Sequence, residues 1–251
     1  MSAMSPWWEE AGDGPPVLLL HSTAADSGMW DPQWPELAGA FRVIRMDFRG
    51  YGRTPCAADG PFSHAGDAAE LLDRLGTGPV AVVGASGGGE VALQLATLRP
   101  DLVSRLVLLN AGAGLPPTPE LAEFGDQEDR LLEAGDLDGA VELNVRTWLG
   151  PEAAPEAHAR LALMQRNAFE LQLAAAEDLE FVKPAIDLTV ITAPTLVVIG
   201  AQDLPYFRET GRHLARELAS AELLELPWAG HLPGMERPEE ITRLLLDRLS
   251  N

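Results

Sequence analysis

The stretch Pro79-Val80-Ala81-Val82-Val83-Gly84-Ala85-Ser86-Gly87-Gly88-Gly89-Glu90 constrains this chain more than any other. Val80 to Val83 form a short continuous apolar run, the pattern of a strand covered on both faces. The run Val91-Ala92-Leu93-Gln94-Leu95-Ala96 then reads as a helix. Between them, Gly84-Ala85-Ser86-Gly87-Gly88 matches G-x-S-x-G. A strand that turns directly into a helix strains the central residue and brings neighbouring backbones close, so glycines must flank it. Ser86 is expected at the apex with its hydroxyl exposed. The adjoining helix N-terminus offers free N–H groups and a positive dipole end. A glycine-rich turn in another doubly wound fold would carry the same short motif, so the rest of the chain has to decide.

The 251 residues leave room for one large α/β domain. Trp7 to Glu10 reads as an antiparallel edge strand. Buried strands are predicted at Val17–Leu20, Phe41–Met46, Leu102–Leu109 and Thr195–Ile199, with a last short one at Glu222–Leu226. Helices are predicted over about 30–40, 64–75 with Ser63 as N-cap, 207–219 and 238–249. From Gly112 to about Pro184 the strand runs stop. There Leu137, Val141, Val145 and Trp148 share one helix face, and Leu161, Met164, Ala168 and Phe169 another. The expected architecture is α/β: a mostly parallel sheet with helices on both faces, formed by residues 1–111 and 185–251. Residues 112–184 form a helical cap inserted in it.

A serine hydroxyl becomes a nucleophile only with a base in reach and an acid to orient that base. In this topology the partners follow in the order Ser, Asp or Glu, His. Asp203 lies in Gly200-Ala201-Gln202-Asp203, just past a strand. His231 lies in Trp228-Ala229-Gly230-His231-Leu232-Pro233, just past the last strand. Both fall at the carboxyl edge of the sheet, where such sheets bind ligands. The preceding strand ends in Asn110-Ala111-Gly112, which offers no carboxylate. His64 begins a helix, His158 lies in the insertion and His213 lies mid-helix. His21 ends a strand before the nucleophile and shapes its turn. Asp47-Phe48-Arg49-Gly50-Tyr51-Gly52 is a tight turn, lacking the third glycine and the lysine of phosphate loops.

A net charge of −20 argues against nucleic-acid and anionic-membrane partners. No apolar run is long enough to span a bilayer. The first residues lack the basic and apolar regions of a secretory leader. Cys56, the single cysteine, cannot form an internal disulfide, which suits the cytoplasm. No metal-ligand cluster or nucleotide motif is present in the sequence, so no cofactor or metal is expected. Homo-oligomerisation stays open.

Leu18–Ala24, Asp47–Thr54, Gly84–Gly88, Gly200–Asp203 and Gly230–Pro238 together resemble the α/β-hydrolase fold. The similarity is to its small bacterial esterase and lactonase branch, which includes 3-oxoadipate enol-lactonases. The resemblance implies Ser86 as nucleophile, His231 as base and Asp203 as orienter. It also implies an oxyanion hole from the backbone N–H groups of Thr23 and Gly87. Two departures stand out. The family usually has His-Gly where this chain has His21-Ser22, which places a hydroxyl near the turn. It often has Met or Gln at Gly87, where the missing side chain is expected to enlarge the pocket.

The implied reaction is acyl transfer from a small neutral or apolar ester or lactone. Val141, Val145, Trp148, Met164 and Phe169 are expected to give a largely apolar pocket under the cap, with Ser22 nearby. Alternatives are a carbon–carbon hydrolase of β-diketone-like substrates, a thioesterase or cyclase of secondary metabolism, and a binding protein without turnover. A serine nucleophile argues against haloalkane dehalogenase and epoxide hydrolase chemistry.

Overall fold

Runs of branched apolar residues set up a row of parallel strands, and the computed structural model describes residues 5–175 and 179–250. Residues 1–4, where the leader pattern was sought, and residues 176–178 of the cap range lie outside. In chain order the elements are β1 (Trp8–Ala11), β2 (Pro16–Leu20), α1 (Trp34–Ala38), β3 (Arg42–Met46), α2 (His64–Leu75), β4 (Val80–Ala85), α3 (Gly87–Leu98) and β5 (Val103–Leu109). Then come α4 (Pro119–Glu133), α5 (Leu137–Trp148), α6 (Pro155–Leu173), β6 (Thr195–Gly200), α7 (Pro205–Glu217), β7 (Ala221–Leu226), α8 (Pro233–Glu236) and α9 (Pro238–Ser250).

Among the described residues the strands make one seven-stranded sheet in the order β1-β3-β2-β4-β5-β6-β7. β1 pairs antiparallel with β3, and every other pairing is parallel. The α/β architecture expected from the sequence is therefore present. One face packs against α1, α8, α9 and residues of α5 and α6 such as Trp148 and Leu161, with Trp30, Leu37 and Ile241 fully buried. The other packs against α2 and α3 through Leu18, Ile44, Leu72 and Leu93. Such burial, at about 25 cal/mol per Å² of apolar surface, is the main force holding the layers together.

Local signals acted as anticipated at α2. Ser63 accepts the Gly66 N–H at 3.0 Å, and Gly76 ends the helix at φ 59°. The helix expected over about 30–40 is instead a 3₁₀ turn, Ser27–Trp30, followed by the short α1. Pro32 and Pro35 lack the N–H groups that a continuous helix would use. The two helix faces expected between 112 and 184 fall on α5 and α6, and none of the residues of the additional helix α4 is buried.

The four adjacent strands β4 to β7 stop almost level. Ala85 pairs with Leu109, Leu109 with Val198, and Gly200 with Leu226. Ser86, Asn110, Asp203 and His231 follow these ends and so meet along one edge. No helix among the described residues is long and apolar enough to cross a membrane.

Candidate active site

Ser86 alone separates β4 from α3. Its backbone sits at φ 54°, ψ −118°, a region a side-chain-bearing residue rarely enters. The glycines around it are required by contact distance. A Cβ on Gly84 would lie 2.4 Å from the Gly88 carbonyl oxygen, and one on Gly88 would lie 2.3 Å from that of Leu20. Ser86 N–H donates to the Leu109 carbonyl at 2.9 Å, and the Ser86 carbonyl accepts from Gly89 and Gly112. The turn is thus locked from both sides, with Ser86 only 5% exposed.

His231 and Asp203 form a buried pair, Nδ1 to Oδ2, at 2.7 Å. The second carboxylate oxygen accepts the Leu204 N–H at 2.7 Å. A carboxylate on Nδ1 keeps the ring proton there and leaves Nε2 as the basic nitrogen. Phe207 and Trp148 pack on the imidazole, with ring centroids 4.1 and 4.7 Å away. The same two aromatics line the cavity that contains Ser86. His21 differs: its Nδ1–H donates to the Ser22 carbonyl and its Nε2 accepts the Phe48 N–H. Burial lowers its pKa, so it is a neutral strut of the turn.

Two supporting residues gave no sequence signal as site members. Asn110, at φ 47°, donates from Nδ2 to the Gly230 carbonyl at 2.7 Å and accepts the Gly200 N–H at 2.8 Å. Glu236 accepts the N–H groups of Gly230 and Leu232 at 2.8 and 3.1 Å, bracketing His231. It also takes the N–H of Gly150, just past α5, tying that helix to the histidine loop. Burial raises its pKa, while these N–H groups and His231 pull the other way. An asparagine at a strand end and an acid one turn past Pro233 were visible, but their partners lie too far along the chain to foresee.

The cavity over Ser86 has a volume of about 270 Å³. Thr23 and Ala24 lie beside the serine. Phe124 and Glu128 of α4, Asn144 and Trp148 of α5, and Gln165, Phe169 and Gln172 of α6 line it as well. Of the expected pocket residues, Trp148 and Phe169 line this cavity. Val141 packs between α5 and α6 with Ala140 and Phe169, Val145 lies against the same cluster, and Met164 joins the main core. Ser22 is fully buried, and its hydroxyl accepts the Ala24 N–H at 3.1 Å.

The expected apolar lining is therefore mixed. Helix α5 turns Asn144 as well as Trp148 toward the cavity because residues four apart share a face. The predicted enlargement at Gly87 is also absent. A Cβ there would lie 2.5 Å from Thr23 Cγ2, so Thr23 fills that space.

Burial pushes the Tyr51 hydroxyl up to about 12, against a hydrogen bond from Gln172. Burial also raises the Glu128 carboxyl. Among the described residues no group of three or more His, Cys, Asp or Glu is placed to hold a metal ion.

The chain belongs to the alpha/beta hydrolase family, which it matches over residues 17–244. It is 34% identical over 254 residues to "Putative carbamate hydrolase RutD" of Variovorax paradoxus, covering 95% of this chain and 92% of that one. A thermophilic esterase from Thermogutta terrifontis superposes with a TM-score of 0.79 at 29% identity, over 99% of this chain and 97% of the other. The enol-lactonase of Burkholderia xenovorans superposes with a TM-score of 0.80 at 25% identity, over 98% and 96%. Hydrolase activity thus agrees with the family, and the esterase and lactonase likeness expected from the sequence is found.

Proposed function

We propose that this hydrolase cleaves a small carboxylic ester or lactone through an acyl-Ser86 intermediate. The observation that carries the reading is the buried Asp203–His231 pair beside a cavity that holds a strained serine. His231 Nε2 takes the Ser86 proton as Oγ attacks the carbonyl carbon. Asp203 keeps the tautomer and stabilises the imidazolium. The backbone N–H groups of Thr23 and Gly87 receive the oxyanion, each contributing roughly 3 kcal/mol. As the tetrahedral adduct collapses, the leaving oxygen takes the proton from His231. Water then gives a proton to Nε2, attacks the acyl carbon, and releases the acid and Ser86.

Helices α4 to α6 act as the cap that selects the substrate, since their side chains line the cavity. The single Cys56 favours a reducing compartment, and the cytoplasm is the proposed location. Mass spectrometry of enzyme quenched during turnover of an activated ester tests the reading. An acyl mass on the Ser86 peptide is expected. Unchanged turnover in Ser86→Ala would overturn it.

A second reading is carbamate hydrolysis, favoured by the name of the Variovorax relative. The same attack on a carbamate carbonyl would give a carbamoyl-Ser86 adduct, which differs in mass from an acyl one.

A further inference from the structure

The roof of the Ser86 cavity carries one buried amide oxygen without a partner and, in the same lining, a half-buried carboxylate. Gln165 of α6 lines the cavity and is 4% exposed, and among the described residues its Oε1 has no partner. An unpaired buried amide is a standing cost to the fold unless something else pairs with it. Glu128 of α4 lines the same cavity. Asn144 donates to its Oε1 at 2.5 Å, and Asn144 is itself held by the Trp148 indole N–H at 2.7 Å. Asn144 also donates to the Ala140 carbonyl, so neither end of its amide is left over. A carboxylate has about four acceptor sites, and this bond uses one. Burial raises the Glu128 carboxyl, as expected where donors are few.

An apolar acyl chain would cover these groups without pairing them. A primary amide offers groups that match: an N–H for Gln165 Oε1, a carbonyl for Gln165 Nε2 and a second N–H for Glu128. The volume of about 270 Å³ lies near the lower end for ligand pockets, so the acyl group must be short. We propose, resting on the acyl-Ser86 reading, that the cavity selects a short acyl group whose far end carries amide-type N–H donors held between Glu128 and Gln165.

Two esters of one alcohol test this. The 3-carbamoylpropanoyl ester carries the amide, and the 4-methylpentanoyl ester replaces it by an isopropyl group of the same shape. Wild-type kcat/KM should favour the carbamoyl ester by about tenfold or more. Gln165→Met and Glu128→Met should each lower that ratio toward one. Gln165→Leu, which removes both polar ends of the amide with a smaller change of shape, should also lower it and serves if Gln165→Met does not fold. Calorimetric binding of both esters to Ser86→Ala reads the same preference without turnover. Equal or weaker binding and turnover of the carbamoyl ester would overturn the proposal, as would a preference unmoved by all three substitutions. If neither ester acylates Ser86 but Ser86→Ala still prefers the carbamoyl ester, and Gln165→Met abolishes that preference, the cavity assignment stands and the ester reading falls.

Discussion

Asn110 reaches across 120 residues of sequence to hold Gly230: its Nδ2 donates to the Gly230 carbonyl at 2.7 Å. Its Oδ1 meanwhile accepts from Gly200, so one buried amide joins the strand before Asp203 to the loop of His231. Asn110→Ala should cost about 1–3 kcal/mol of stability through lost hydrogen bonds to buried backbone groups. Asn110→Gly loses the same bonds but relieves the positive φ, so it should be about 1 kcal/mol more stable than the alanine variant. In both, kcat should fall more than KM rises, because the base is displaced. Urea titration together with steady-state kinetics checks each part. Wild-type kcat in the glycine variant would show that the clamp does not position His231.

Ser86 stores backbone strain at φ 54°, of the order of 1–3 kcal/mol for such positions. Ser86→Ala should be inactive and folded. Ser86→Gly should be inactive and more stable than Ser86→Ala, by about 1 kcal/mol after allowing for glycine's freer unfolded chain. Denaturant midpoints decide it, and an alanine variant as stable as the glycine one would remove the strain argument.

His64 stacks on Phe48 at 4.6 Å, and its buried Nδ1 has no partner among the described residues. Burial, helped by the neighbouring His21 and Arg49 side chains, pushes its pKa down to about 3. The unfolded chain titrates near 6.5. A depressed folded value means this contribution is complete above about pH 6.5 and is lost as pH falls toward 3. The loss is up to about 1.4 kcal/mol per pH unit. His64→Phe keeps the stack and removes the titration. Its urea midpoint should therefore drop less than that of wild type between about pH 7.5 and about pH 5. Equal drops would place the acid sensitivity elsewhere.

Gly87 and Thr23 compete for one space, since a Cβ at Gly87 would lie 2.5 Å from Thr23 Cγ2. Gly87→Ala should lower kcat/KM about tenfold by forcing Thr23 aside next to the proposed oxyanion donors. Adding Thr23→Ala should restore much of it, with a coupling of about 1 kcal/mol. Additive losses in the double-mutant cycle would show that the two side-chain positions are independent.

The sequence alone determined the sheet and the edge where chemistry gathers. Apolar runs of strand length, glycines around Ser86, and polar residues placed just after strands are local signals, and each needs only its neighbours to be read. The pairing of Asp203 with His231 was inferable because sheet topology forces successive strand ends together. Tertiary structure alone decided which side chains face the cavity. Val141, Val145 and Met164 share helix faces with Trp148 and Phe169, yet they pack between the helices and into the core. Helical periodicity tells which residues lie on one face, but the helix's rotation against its neighbours decides what that face meets. Asn110, Glu236 and Gln165 were unreadable for the same reason. Their hydrogen bonds, or the lack of one, depend on groups brought near only when α5, α6 and the His231 loop have packed.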